Sequence, residues 1–126
     1  MKSIYLIIFP ILLIAGLSFA SDSTFSVTGT FSNLEYNEKA GTYFGTEILI
    51  LKWKYGYYVL FEKAEGEIIK PIRAKADIKG NVIEFTINEG KYNYGNFKGK
   101  ISVNQLIGKF ETQEIIKLPR QDTYTQ

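Results

Sequence analysis

From Ser21 onward, apolar and polar residues alternate with a period of two, and glycine or asparagine stands at most of the breaks. That pattern describes strands with one dry and one wet face joined by tight turns, and it predicts an antiparallel meander. In the first strand Phe25, Val27, Gly29 and Phe31 alternate with Ser26, Thr28, Thr30 and Ser32. Residues 46–53 are apolar on both sides at Ile48-Leu49-Ile50-Leu51, which predicts a strand covered on both faces. Lys54-Tyr55-Gly56 turns into a strand over 57–62, and Ala64-Glu65-Gly66-Glu67 turns again. Pro71 removes a ladder donor and belongs at an edge or at the start of the strand 72–78. There Ile72, Ala74, Ala76 and Ile78 face inward and Arg73, Lys75 and Asp77 outward.

Lys79-Gly80-Asn81 makes a hairpin turn into 82–87, and 88–96 reads as a loop of Gly, Asn and Tyr. The last meander runs Phe97-x-Gly99-x-Ile101, a turn around Asn104, Leu106-x-Gly108-x-Phe110, and 114–118. Between the first two strands Asn33 can cap a short helix that Gly41 ends, and a polar loop is equally open. The pattern thus predicts an all-β fold of about eight short strands with at most one short helix. Gly29, Gly99 and Gly108 occupy inward positions between large residues, where a missing side chain lets a strand coil or a neighbour approach. Repeated on three strands, this favours a small, closed or nearly closed antiparallel barrel over a flat sandwich. The polar tail from Arg120 reads as frayed.

The first 20 residues stand outside this pattern. Lys2 supplies a positive start, residues 4–17 an apolar run broken by Pro10 and Gly16, and Ser18-Phe19-Ala20 a small-x-small cleavage site. These are the parts of a secretory signal peptide, and the run falls short of the ~20 residues of a membrane span. The expectation is a leader over 1–20, cut near Ala20, and one β-barrel domain over 21–126, secreted or periplasmic and without a membrane anchor.

Composition narrows the chemistry. Of 15 Lys and Arg against 13 Asp and Glu, Lys2 leaves with the leader, so the mature balance is 14 against 13, or +1. That is no footprint for nucleic acid. The chain has no cysteine and no histidine, which removes disulfides, the usual zinc sites, Ser-His and Cys-His nucleophile pairs and imidazole catalysis. No cofactor and no metal is expected.

Among candidate sites, residues 33–45 exceed what a hairpin needs and carry Glu35, Tyr36, Asn37, Glu38, Tyr43 and Phe44. Such a segment serves either as a lid over a barrel mouth or as a plug in it. The run Trp53-Lys54-Tyr55-Gly56-Tyr57-Tyr58, with Tyr92 and Tyr94, offers amphipathic rings suited to sugar or protein contacts. Alternation buries about half of such rings as core, leaving those at turns exposed. The candidate partner-binding set is therefore Tyr36, Tyr43, Tyr55, Tyr92 and Tyr94. Carboxylate pairs drawn from Glu35 and Glu38, or from Glu62, Glu65, Glu67 and Glu84, read as solvated charges, with no catalytic residue among them. Lys98, Lys100, Lys109 and Lys117 make one face of the last strands cationic, which keeps edges from pairing or meets an acidic partner.

This architecture resembles the calycins, the lipocalin-like small barrels. Gly29-Thr30-Phe31 stands where lipocalins carry Gly-x-Trp on the first strand, and 33–45 stands where their mouth-closing loop lies. The strings SNLEYNEKAG at 32–41, GYYVLF at 56–61 and FKGKI at 97–101 are similar to those of small exported bacterial proteins of unassigned function. The first resemblance implies a calycin-like barrel; the second implies no activity. Two functions follow. One is a non-enzymatic protein-interaction or inhibitory module of the cell envelope that works through its loops. The other is a carrier of a small hydrophobic ligand, for which an eight-stranded barrel is just wide enough. Phe25, Phe31, Phe61, Phe85, Phe97 and Phe110 would fill that interior, so the interaction module leads. Its partner is an unknown protein or small ligand of the envelope, and the protein is expected to be a monomer.

Overall fold

The computed structural model describes residues 25–67 and 70–121. The leader, residues 1–20, and the last five residues lie outside that range. The described chain is all-β, as expected: β1 (Gly29–Ser32), β2 (Glu35–Asn37), β3 (Thr42–Trp53), β4 (Gly56–Glu65), β5 (Ile72–Lys79), β6 (Val82–Glu89), β7 (Tyr92–Ile101), β8 (Gln105–Phe110) and β9 (Ile116–Pro119). All pairings are antiparallel, and the strands follow the order β1-β3-β4-β5-β6-β7-β8-β9, with β2 also on β3. The ends of this path meet through a bridge between Phe31 and Arg120 and a bond from the Gln121 amide to the Thr30 carbonyl at 2.8 Å. The sheet is thereby nearly closed into a barrel.

Two segments read as loops are strands. Residues 33–41 form neither helix nor lid, because β1 and β2 are one strand kinked at Asn33, both paired to β3. The Asn33 amide oxygen accepts from the Thr46 N–H at 2.7 Å, and the Asn33 N–H donates to the Thr46 carbonyl at 3.1 Å. Asn33 thus caps a kink rather than a helix. Gly45 makes room for it: its φ is +129°, and a Cβ there would lie 2.6 Å from the Asn33 carbonyl oxygen. The bend done, Tyr36 and Tyr43 pair across the ladder, as aromatic residues favour. Likewise 88–96 is a hairpin: β6 reaches Glu89, Gly90 and Lys91 turn, and β7 starts at Tyr92. The Asn and Gly residues that looked like breakers instead build a register shift beside Ile87 and Asn88, where the Asn88 side chain accepts from the Gly95 N–H at 3.2 Å.

Alternate residues of every strand in the barrel fill its interior. Phe31, Ile48, Ile50, Phe61, Phe97 and Leu118 are among the fully buried side chains. Phe61, Phe85, Phe97 and Phe110 form a ring cluster with centroids 4.8 to 5.9 Å apart. Phe25 is an exception to the expected filling, since the first strand starts only at Gly29 and leaves it 42% exposed. Gly99 and Gly108 are direct partners in the β7–β8 ladder and face inward, as expected. A Cβ on Gly108 would lie 2.5 Å from Phe97 Cζ and 2.6 Å from the Lys98 carbonyl oxygen, so the Phe97 ring fills the hollow that two missing side chains leave.

The seam depends on Arg120, which is ordered rather than frayed. Its guanidinium donates to the carbonyls of Val103 at 2.8 Å, Thr28 at 2.8 Å, Ser26 at 2.6 Å and Ser102 at 3.1 Å. Its carbon also lies 4.5 Å from the Phe31 ring centroid. The side chain ties the entry of β1 to the β7–β8 turn from the end of β9, and burial draws its pKa below the usual value. Gly29 leaves the space it needs, because a Cβ there would come within 2.7 Å of Nη1.

Two stability predictions follow from the packing. Gly108→Val meets backbone as well as Phe97, so it costs about 1–3 kcal/mol, the scale of overpacking, and lowers the melting temperature. An unchanged melting temperature would show that the strands there yield freely. Arg120→Gln loses charge-assisted bonds that are worth about 1.5–3 kcal/mol. Arg120→Lys recovers only part, because an ammonium cannot span four carbonyls. Chemical denaturation of the three proteins should therefore rank arginine above lysine above glutamine, and equal midpoints would remove Arg120 from the seam.

Candidate functional site

The two-sided apolar run in β3 has one face in the core and the other in solvent. Ile48 and Ile50 point into the barrel and are fully buried, whereas Leu51 is 42% and Trp53 66% exposed. No described element covers the outer face, which corrects the expectation that both faces are covered. The β3–β4 register sets Leu49 opposite Leu60, Leu51 opposite Tyr58 and Trp53 opposite Gly56. Since Val59 and Phe61 fill the core, Tyr58 and Leu60 share the outer face with Leu49, Leu51 and Trp53. Five large side chains therefore form a band on the outside of the barrel, with Leu51 and Trp53 exposed and Leu49, Tyr58 and Leu60 half-buried beside them, and an apolar patch on an outer surface marks an interaction site.

The borders of the band are polar on both sides. On the β1 side Thr30 lies opposite Leu49, and a surface groove runs along Thr28, Thr30, Leu34 and Glu47. On the β5 side Arg73 pairs with Leu60 and Lys75 with Tyr58, and the Arg73 guanidinium stands 5.8 Å from the Tyr58 ring centroid. At one end Glu47 faces Glu62 directly across the ladder. Partial burial, and then the neighbouring Glu47 charge, hold the Glu62 carboxyl above its ordinary value of 4.5. Like charges in opposed positions destabilise a ladder, so the pair is a cost the isolated protein carries.

The five tyrosines separate into two groups. Tyr36 and Tyr43 are 54% and 53% exposed, meet edge-to-face with centroids 5.2 Å apart, and lie beyond Glu47 at one end of β3. Tyr55 is 82% exposed in the turn at the other end. Measured along the strand by its rise per residue, Tyr43 and Tyr55 are roughly 35–40 Å apart. Tyr92 and Tyr94 are not on an exposed loop: both are half-buried and packed against the core. Tyr94 sits 5.9 Å from Phe61 and 5.3 Å from Phe110 between centroids, with Lys63 5.1 Å from its own ring centroid, and helps close that barrel end.

Other candidates stay apart. Lys98 and Lys109 are opposed in the β7–β8 ladder, and with Lys100 and Lys117 they make the outer face of β7–β9 basic. Glu65 pairs with Lys63 at 3.2 Å and Glu67 with Lys91 at 3.5 Å. Among the described residues no three potential ligands gather closely enough to hold a metal ion. Sequence reasoning missed Leu49, Leu51, Tyr58 and Leu60 as surface, although the two-sided run was the signal for them. The chain matches no protein-family model, and comparison with curated proteins and with solved structures gave no match.

The carboxylate pair generates a pH prediction. A raised pKa means that the folded state holds its proton more tightly than the unfolded state, so ionisation of Glu62 destabilises the fold as pH rises from the ordinary value of 4.5 through the raised one. Glu62→Gln should therefore melt higher than the wild type at pH 7, with the difference shrinking as pH falls below that window. A difference independent of pH would assign the effect to something other than ionisation.

Proposed function

We propose that this chain is an exported, non-enzymatic binding protein of the cell envelope that docks a protein partner through the outer face of β3 and β4. The observation that carries the reading is the exposure of Trp53 and Leu51 beside Leu49, Tyr58 and Leu60 on the outside of a barrel whose inside is already filled. Aromatic side chains bring large contact area at low entropy cost, and tryptophan and tyrosine are enriched among the few residues that dominate interface energies. Tyr36 and Tyr43 at one end of β3 and Tyr55 in the turn at the other add exposed rings beyond the band. The leader pattern of residues 1–20 supports export.

The interior favours this reading over a carrier. Phe31, Phe61 and Phe97 are fully buried, Phe85 and Phe110 nearly so, and Tyr94 packs on Phe61 and Phe110 at one end. A lipophilic guest would have to displace packed rings. Binding at the β3–β4 face displaces only water.

The test compares capture of envelope proteins by the mature wild type, by Leu51→Ser with Trp53→Ser, and by Val103→Ser with Ile115→Ser. Val103 and Ile115 are 54% and 65% exposed, and they serve as apolar controls outside the band. The first variant should lose its captured partner, with affinity for that partner, once isolated, weakened by about 2 kcal/mol or more, while the control keeps it. Trp53 is the only tryptophan, so its emission should shift to shorter wavelength when the partner binds. Equal capture by all three proteins, or an unmoved emission, would overturn the proposal.

A further inference from the structure

One ladder of the barrel is incomplete. Strands β5 and β6 each have eight residues, yet they pair only through Asp77–Glu84, Ile78–Ile83 and Lys79–Val82. Beyond that point β5 keeps β4 on its far side, with Ile72 to Ala76 paired to Phe61 to Tyr57. From Glu84 to Glu89, β6 keeps β7 on its far side. The two strands diverge, and a groove of about 720 Å³ opens along them on the outer surface and reaches Asn96 of β7. Every residue from Ile72 to Asp77 lines it. A groove over a sheet face is lined by alternate residues, whereas one lined by consecutive residues runs along a strand edge. The backbone groups on the facing sides of Ile72–Ala76 and of β6 beyond Glu84 are thus presented in extended form without a ladder partner.

The place where pairing stops has an electrostatic reason. Asp77 and Glu84 are directly opposed on the outer face, and like charges in that position weaken a ladder. Continuing the register would set Lys75 beside Thr86 and Arg73 beside Asn88 on the outer face, and Ala76 beside Phe85 and Ala74 beside Ile87 on the inner face. The outer lip therefore runs from two carboxylates at the closed end to Lys75 and Arg73 on β5 beyond them, with the exposed Glu89 of β6 at the far end. On the inner side Ala76, Phe85 and Ile87 are buried, whereas Ile72 and Ala74 are half-buried and line the groove.

We propose that this groove accepts an extended segment of a partner protein as an added β-strand. The segment that fits carries a basic residue next to Asp77 and Glu84, acidic residues next to Lys75 and Arg73, and apolar residues at the intervening positions toward the half-buried Ala74 and Ile72. Unpaired extended backbone supplies the affinity and the alternating side chains the selectivity, as in other strand-addition complexes. The open edge of β5 sets the length of that segment. Ile72–Ala76 is five residues long. The site is distinct from the apolar band on β3 and β4, so the proposal does not rest on that reading.

The experiment uses the mature protein and two blocked synthetic heptapeptides. In one, valine alternates with glutamate and a lysine takes one terminal outward position. In the other, lysine and glutamate are exchanged. Binding is followed by heteronuclear NMR with amide hydrogen exchange. The first peptide should bind, slow exchange at amides within Ile72–Ala76 and within the open half of β6, and leave the β7–β9 amides unchanged. Arg73→Glu with Lys75→Glu should weaken it about tenfold and bind the charge-exchanged peptide better. Because both side chains point outward from the barrel, the doubly substituted protein keeps its core, which its unchanged amide spectrum elsewhere would show. Protection in the free protein of those amides that face the groove rather than β4 or β7, equal binding of the two peptides, or protection confined to another strand would each overturn the proposal.

Discussion

A guanidinium surrounded by backbone carbonyls holds this barrel shut. The chain from β3 to β9 is a run of hairpins, each strand pairing with its sequence neighbour, and such a sheet curls on its own through strand twist. Closing it requires β1 and β9 to meet, and their direct backbone pairing amounts to one bridge, bonded from the Gln121 amide to the Thr30 carbonyl. The Gln121 side chain adds a bond to the Ser32 carbonyl at 2.9 Å, and Arg120 reaches Ser26, Thr28, Ser102 and Val103 from one side chain. A planar fork with five donors suits that task, because it meets several carbonyls at once without needing a carboxylate.

Once the seam is fixed, the inside follows from volume. Two glycines opposed across β7 and β8 leave a hollow, and the Phe97 ring fills it. Phe85 and Phe110 pack on that ring, Phe61 packs on Phe110, and Tyr94 completes the end. An interior assembled this way has little left to offer a guest. The unusual surface chemistry is displaced to the outside, where an apolar band and a basic face lie on different strands of the same barrel.

How far the sequence could be read depended on how local each cause was. Period-two alternation, the inward glycines and the inward set of β5 depend on neighbours two residues away, and they were legible. The kink at Asn33 was not, since it depends on Thr46 and Gly45 more than ten residues later, and a lone Asn before a polar stretch looks the same as a helix cap. Asn88 and Gly95 misled in the same manner: a register shift inside a hairpin uses the residues that otherwise end one. Arg120 looked like tail because its partners at Ser26 and Thr28 lie more than 90 residues back. For the candidate surface, the run Ile48-Leu49-Ile50-Leu51 announced two apolar faces. Which of them stays uncovered depends on how many strands the barrel has and what lies outside it, and no local pattern records that.

The remoteness of the seam partners also orders events in time. Hairpins close loops of a few residues, whereas joining Arg120 to Thr28 closes one of 92, whose logarithmic chain-entropy cost is about 4 kcal/mol. The seam is thus the last part to form and the first to open, as the least local unit of a mostly local fold. When it opens, β1 and β9 become free edges together while the hairpins between them stay intact. With no cysteine to staple the two ends, that half-open ring is the species in which two copies can exchange edge strands, so the lifetime of the seam sets how long the protein remains a single closed barrel.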